Sequence, residues 1–148
     1  MGLQVGHYLW TTEGFNYLLS VGVNDGTKIS TWYVAPFGAN VAVVNTLTAA
    51  TFTSTQTELT TAYSQSTRVA YVETAPASGS VNNTSNPAII TAASTNVSVW
   101  GFGILSESTK SSTSGKLLCA TTFSSVRTLA AIGDELGIRH TLTLSNPA

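Results

Sequence analysis

The chain has 148 residues, which is the size of one domain rather than two. Only 9% of the residues are charged and the formal net charge is -1, while 24 Thr and 18 Ser supply much of the polar surface. With 43% hydrophobic residues the composition excludes a disordered chain, and the few scattered basic residues exclude binding to nucleic acid or membrane surfaces by bulk charge. No apolar run approaches the roughly 18 residues of a membrane-spanning helix. Because few charges oppose self-association, we expect much of the surface to be covered by other copies or by a larger assembly.

Residues 11–20 are predicted to form a helix that packs one face on the rest of the protein. Thr12 is a suitable N-cap, and Glu13 lies in the first turn, where a carboxylate opposes the positive end of the helix dipole. The apolar residues that repeat at helical spacing are Phe15, Leu18 and Leu19. Gly22 is expected to end this helix.

From residue 30 onward, aromatic, β-branched and alternating apolar residues predict strands. The predicted strands are residues 30–37, 67–73, 87–92, 97–106, 116–123 and 136–144. Pro36 is expected to close the first strand or to place it at a sheet edge. Residues 97–106 are apolar on both faces, which predicts a central strand. Gly101 and Gly103 share one face of it and predict a bulge or a large neighbour packed closely.

The segments between these strands are interpreted as connections. Residues 46–63 are predicted to be a long connection with one short helix or none, residues 74–87 a surface loop, and residues 107–115 a hydrophilic connector. Short strands at fairly regular spacing predict an all-β fold, namely an antiparallel, jelly-roll-like β-sandwich with one short N-terminal helix.

The predicted domain comprises residues 11–148, and residues 1–10 are interpreted as an N-terminal arm. The arm has no basic cluster followed by an apolar stretch, so no secretory signal is predicted. Cys119 is the single cysteine, which excludes an intrachain disulfide and a multi-cysteine metal site, and we interpret it as a small buried hydrophobe.

The sequence offers little material for catalysis. His7 and His140 lie far apart and neither has a neighbour at metal-ligand spacing. His140 occupies the apolar face of its predicted strand, which favours a core or interface residue over a catalytic base. Asp134 and Glu135 are interpreted as a turn, and no serine lies in a Gly-x-Ser-x-Gly motif. We therefore predict no catalytic residue, no metal site, no cofactor and no enzymatic activity.

The three tryptophans allow two interpretations. On an exposed β platform they could stack on sugar rings, as in a carbohydrate-binding module. Trp32 and Trp100 lie in apolar strands, however, which favours core packing. Trp10 lies with Tyr8 in the predicted arm, where it could act as an anchor inserted into a neighbouring subunit.

Several segments share their pattern with a known family. They are residues 12–19 (TEGFNYLL), 31–37 (TWYVAPF), 99–105 (VWGFGIL) and 109–118 (TKSSTSGKLL), together with Phe123, Arg127, Gly133, Asp134 and residues 141–144 (TLTL). They resemble, in that order, the opening helix, the following strand, a central apolar strand, a hairpin and the carboxy-terminal part of small tailed-phage virion proteins. These are the head decoration proteins, also called cement proteins, and their relatives.

This resemblance implies a β-sandwich with a short N-terminal helix that assembles as a dimer or trimer on the capsid. The implied partner is the major capsid protein, whose subunits the chain would hold together from outside the head. The chain would be made in the host cytoplasm and located in the virion. The alternatives are a tail, baseplate or fibre-associated virion protein and, from another class, the carbohydrate-binding module.

The residues expected to contact the capsid or another subunit are Tyr8, Trp10, Asn82, Asn83 and Lys110. The first two lie in the arm and the others in the two hydrophilic segments, residues 74–87 and 107–115.

Overall fold

A computed structural model of the chain describes residues 8–144. Its elements are, in chain order, β1 (Tyr8–Trp10), α1 (Thr12–Val23), β2 (Trp32–Phe37), α2 (Ala49–Thr55), β3 (Val69–Tyr71), β4 (Ser80–Asn82), β5 (Ala88–Thr91), β6 (Val97–Leu105), β7 (Leu117–Leu129), β8 (Glu135–Ile138) and β9 (Thr141–Thr143). The described residues form a strand-rich, antiparallel fold with two short helices, which confirms the predicted all-β class. In this part of the chain, neither helix has the length and apolar content needed to cross a membrane.

Five strands form the main sheet, in the order β1-β7-β6-β2-β3, and every neighbouring pair is antiparallel. The remaining strands form two separate two-stranded ladders, β4 with β9 and β5 with β8. Strand β6 lies at the centre of the main sheet, as its two apolar faces predicted. Strand β7 is longer than the predicted residues 116–123 and runs on to Leu129.

Hydrophobic side chains cover both faces of the main sheet. On one face, Val34 and Ile104 belong to a cluster that includes Ile90 and Ile138 from the β5–β8 ladder. On the other face, the loop before α2 and α2 itself supply the cover. Phe52 of this helix meets the ring of Phe37 edge-on, with centroids 6.0 Å apart. The one short helix allowed for residues 46–63 is therefore α2, and it shields the second face of the sheet.

The two glycines of β6 have the roles that their pattern predicted. The register of β6 against β7 shifts between Val99 and Gly101, and a Cβ atom on Gly101 would overlap the ring of Phe37. A Cβ atom on Gly103 would lie 2.6 Å from the ring of Phe52, so only glycine allows α2 to pack this closely.

Helix α1 is capped one residue earlier, and ends later, than its local pattern predicted. Its N-cap is Thr11, not Thr12, because the Thr11 hydroxyl accepts the Gly14 N–H at 2.9 Å and donates to the Leu117 carbonyl at 2.6 Å. The prediction that Gly22 ends the helix is wrong. The helix includes this glycine, extends to Val23, and is capped at Asn24, whose N–H bonds to the Ser20 carbonyl.

Of the two alternatives predicted for Pro36, the first is confirmed, because β2 ends at Phe37 directly after it, and the second is wrong, because β2 is not an edge strand. Strand β2 lies between β6 and β3, and Pro36 pairs with Phe102 inside it. Strand β3 pairs only with residues 32–34, however, and the Pro36 carbonyl accepts the Leu59 N–H on that side at 2.9 Å. Because the N–H and C=O of a strand residue point to the same side, the hydrogen that proline lacks would point away from β6.

Two predicted segments, one in the middle of the chain and one near its carboxy-terminal end, are divided differently. Residues 74–87 are not only a loop, because they contain β4, which pairs with β9. Residues 136–144 are not one strand but two, β8 and β9, which belong to different ladders. Leu144, the last residue of the predicted strand, is 59% exposed.

Candidate interaction surface

The hydrophilic segment 107–115 connects β6 to β7 and is held from beneath by a buried ion pair. Arg68 donates from Nε and one guanidinium nitrogen to both carboxylate oxygens of Glu58, each at 2.8 Å. The two side chains are 0% and 1% exposed. This fork-on-fork geometry fixes both groups, and it is strong because both partners are charged.

The same ion pair bonds the backbone of the segment. The Arg68 guanidinium donates to the Glu107 carbonyl at 2.9 Å and to the Ser112 carbonyl at 3.1 Å. The Glu58 carboxylate accepts the Ser111 N–H at 3.1 Å. Ser111 lies in the left-handed region, with a φ of 62°, and this contact helps to hold it there.

Lys110 is attached to the connection that follows α2. Its ammonium donates to the Thr60 carbonyl at 2.7 Å and to the Tyr63 carbonyl at 3.1 Å. It also lies 3.5 Å from the centroid of the Tyr63 ring, a cation–π contact. Lys110 is thus half-buried and engaged within its own chain, so the structure places this predicted contact residue beneath the segment.

The local electrostatics agree with these contacts. Hydrogen bonds from the N–H and hydroxyl of Thr109 hold the pKa of Glu107 below its usual value. Burial lowers the pKa of Lys110. Burial, and then the neighbouring Glu58 carboxylate, raise the pKa of the Tyr63 hydroxyl, so this group stays neutral.

The outer side of the segment presents hydroxyl groups to solvent. Ser111, Thr113 and Ser114 are exposed, and Gly115 adopts a φ of 88° before the chain enters β7. Segment 107–115 is therefore a hydroxyl-bearing tip fixed on a buried ion pair. Its residues 111–115 carry no charged side chain, whereas Glu107 and Lys110 before them are charged. A surface ordered in advance loses little conformational entropy when it docks on another protein.

The two predicted contact residues of segment 74–87 differ from each other. Asn82 is half-buried in β4, and its side chain accepts the Thr84 N–H at 2.9 Å. The interpretation of Asn83 as a surface contact is wrong, because this residue is 0% exposed. Its amide donates to the Ile138 carbonyl at 3.0 Å and accepts the His140 N–H at 2.7 Å, which satisfies the backbone where β8 ends and β9 begins.

The predicted arm is partly inside the main sheet. Residues 1–7, with His7, lie outside the described residues, but Tyr8 and Trp10 belong to β1, which pairs with β7. Trp10 is half-buried and packs against its own core and the ring of Phe15, 5.4 Å away. None of the three tryptophans is exposed, because Trp32 is buried, as expected, and Trp100 is half-buried.

The remaining candidates for chemistry are structural within the described residues. His140 is buried, with its ring 5.3 Å from that of Phe102 and 6.4 Å from that of Tyr71, and burial lowers its pKa to about 4. Cys119 is fully buried, which raises the pKa of its thiol. The Asp134 carboxylate accepts the Ala131 N–H in the turn before β8. Residues 8–144 contain no group of three side chains arranged to hold a metal ion.

A polar groove of about 870 Å³ runs along one side of α1. Glu13 lies in it and accepts the N–H groups of Ala49 at 2.9 Å and Leu117 at 2.7 Å, which joins α1 to α2 and β7. Lys28 and Lys116 line the same groove, and the Lys116 ammonium is 3.8 Å from the Glu13 carboxylate. The carboxylate that was interpreted as a dipole partner of α1 therefore also joins three elements.

Sequence reasoning missed the ion pair that carries segment 107–115. Arg68 lies in the predicted strand of residues 67–73, whose pattern identifies no partner for it. The sequence does contain a signal for this ion pair. An arginine beside alternating apolar residues, in a chain with so few charges, indicates a buried partner of opposite charge. The identity of that partner depends on how residues 58 and 68 are folded back on each other.

In comparisons with known proteins, the chain matches no protein-family model and no curated protein.

Proposed function

We propose that this chain is a phage head decoration protein, which binds the outside of the capsid and holds major capsid subunits together. Segment 107–115 is its main docking element in this proposal. The observation that carries the proposal is the buried Arg68–Glu58 pair beneath an exposed tip whose residues 111–115 carry no charge. A buried ion pair is costly to form and contributes little net stability, so its use here favours a role in positioning the segment.

The sequence supports the same proposal. The segments that resemble decoration proteins include residues 109–118, which cover most of this tip and the start of β7. The low charge of the chain suits an interface made of hydroxyl groups and apolar contacts, because such an interface desolvates few ions on docking. Each copy needs to contribute only a modest free energy of binding, since many symmetry-related copies stabilise the capsid together.

The finer architecture belongs to the same proposal. We infer that the five-stranded sheet and the two ladders that pack on it correspond to a β-sandwich of jelly-roll type. The shared hydrophobic cluster between the main sheet and the β5–β8 ladder supports this, because sandwiches bury side chains between two layers. Superposition of an experimental structure on known sandwiches would test it.

The experiment is co-sedimentation of the purified chain with expanded capsid shells that lack it. The wild-type protein should pellet with the shells and saturate at a fixed ratio to the major capsid protein. Thr113→Glu places a charge on the exposed tip and should weaken binding at least about tenfold, because a desolvated unpaired charge opposes docking.

The matched control is Thr95→Glu. Thr95 is also an exposed threonine, but it precedes β6, whereas Thr113 follows it, so the two lie at opposite ends of the central strand. This variant should bind as the wild type does. If the wild-type protein does not pellet with the shells, the proposed function is contradicted. If both variants bind equally well, the assignment of segment 107–115 as the docking element is contradicted. Localisation to the tail instead of the shell would favour the tail or fibre alternative.

A further inference from the structure

Helix α1 has an apolar stripe that the described part of the chain, residues 8–144, leaves exposed. Phe15, Leu19 and Val23 follow one another at intervals of four residues and are 44%, 60% and 82% exposed. The buried side of the helix, around Gly14, packs on β7, and the polar groove occupies another side. Residues spaced by four form a ridge, which is the feature that packs into the groove of a second helix.

We infer that two copies of this chain pair through this stripe, with their α1 helices antiparallel and Leu19 of each copy at the two-fold axis. The side chains of the stripe decrease in size along the helix, from Phe15 through Leu19 to Val23. Antiparallel pairing therefore places the largest side chain of one copy against the smallest of the other. This self-complementarity favours a second copy as the occupant, because a two-fold interface joins the same patch from both subunits.

The charges around the stripe permit this pairing. The stripe itself contains no charged residue. The carboxylate of Glu13, the acidic residue of this helix, is bound to the N–H groups of Ala49 and Leu117 on the groove side. Two identical stripes can therefore meet without bringing like charges together.

The size of the stripe fits a reversible dimer. Its three side chains expose on the order of 300 Å² of apolar surface, which is comparable to the largest patch on an ordinary monomer. Two copies would bury about 600 Å² of apolar surface, the share expected in an interface of roughly 1,000 Å², which is near the lower limit for a specific complex. We therefore expect a dissociation constant in the micromolar range.

Gly22 independently supports the pairing of two α1 helices. A Cβ atom at this position would meet nothing within 4 Å, so packing within one copy does not require glycine there. Glycine inside a helix is unfavourable relative to alanine. Gly22 lies beside the stripe, where a missing side chain lets the two helices approach closely.

Sedimentation velocity over a range of micromolar concentrations tests the inference. The wild-type protein should pass from monomer to dimer as its concentration rises. Leu19→Glu and Leu19→Lys should each weaken dimerisation about 100-fold or more, because like charges would meet at the axis. An equimolar mixture of the two variants should form a heterodimer, because opposite charges then meet.

The matched control is Ile132→Glu, at an apolar residue that is 68% exposed in the turn between β7 and β8. It should dimerise as the wild type does, and Gly22→Ala should dimerise less. Leu19→Cys provides a second readout, since oxidation should cross-link it into a covalent dimer, and the native Cys119 is too deeply buried to compete.

A wild-type monomer at every concentration would overturn the inference. So would a mixture of the charged variants that stays monomeric, failure of Leu19→Cys to cross-link, or equal disruption by Ile132→Glu. Sedimentation uses the purified chain without capsids. A failure of dimerisation can therefore be told apart from a failure of capsid binding.

Discussion

Asn83 determines how the last two strands separate. Its backbone N–H donates to the His140 carbonyl, and its side chain bonds both the Ile138 carbonyl and the His140 N–H. The His140 carbonyl also accepts the Tyr71 hydroxyl at 3.2 Å, whereas the Asn83 side chain bonds the other two groups where β8 and β9 turn into different ladders. The side-chain amide of Asn83 thus takes the place of ladder hydrogen bonds where β8 ends and β9 begins.

Replacing Asn83 by alanine should lower the free energy of unfolding by about 2–4 kcal/mol, because two buried backbone groups lose their partner. Asn82→Ala is the control. The Asn82 side chain accepts one N–H at an exposed site, so the expected loss is below about 1 kcal/mol. Urea unfolding with unchanged m-values measures both, and equal losses would contradict the role assigned to Asn83.

Helix α2 covers one face of the main sheet through a close contact rather than through its length. The helix has 7 residues and one large buried side chain, Phe52, whose ring lies over Gly103 of β6. Its first N–H is bonded by Glu13 of α1. The position of α2 therefore depends on a glycine and a carboxylate from two other elements.

Gly103→Ala should lower the free energy of unfolding by about 1–3 kcal/mol, because the new methyl group would overlap the Phe52 ring. In a Phe52→Leu background the same substitution should cost about 1 kcal/mol less, since the ring is no longer there. Chemical unfolding of the two single variants and the double variant gives this coupling. Strictly additive losses would mean that the contact does not set the packing of α2.

At the scale of the whole molecule, a buried histidine links the main sheet to both ladders. His140 lies between β8 and β9, and its ring contacts Phe102 of β6 and Tyr71 of β3. Burial lowers its folded pKa from 6.5 to about 4, so the folded state favours the neutral imidazole. The unfolded chain therefore binds a proton between these two pH values that the folded chain does not.

It follows that stability should be complete above pH 6.5 and should fall as the pH decreases toward 4. Between pH 7 and pH 5 the histidine should account for a loss of roughly 2 kcal/mol. His140→Phe keeps an aromatic ring without a titrating group, so this part of the pH dependence should disappear. Urea unfolding at several pH values measures the difference between the two proteins, and parallel pH profiles would contradict the prediction.

The sequence by itself determined the features that depend on local pattern. Apolar alternation indicated most strands of the all-β fold, and the two apolar faces of residues 97–106 indicated the central strand. Gly101 and Gly103 indicated a bulge or a close neighbour, and the structure has close neighbours at both. These predictions succeeded because strand periodicity and glycine spacing act over a few consecutive residues. The predicted helix was also correct in type, although its ends were not.

Only the tertiary structure decided the features that join distant parts of the chain. The N-cap of α1 is Thr11 because its hydroxyl also bonds the carbonyl of Leu117, and Pro36 is tolerated inside the sheet because β3 ends before it. Segment 107–115 is rigid because Glu58 and Arg68 meet beneath it, and Asn83 is buried because β8 and β9 diverge there. In each case a polar group is satisfied by a partner that is distant in sequence, and local periodicity carries no information about such partners.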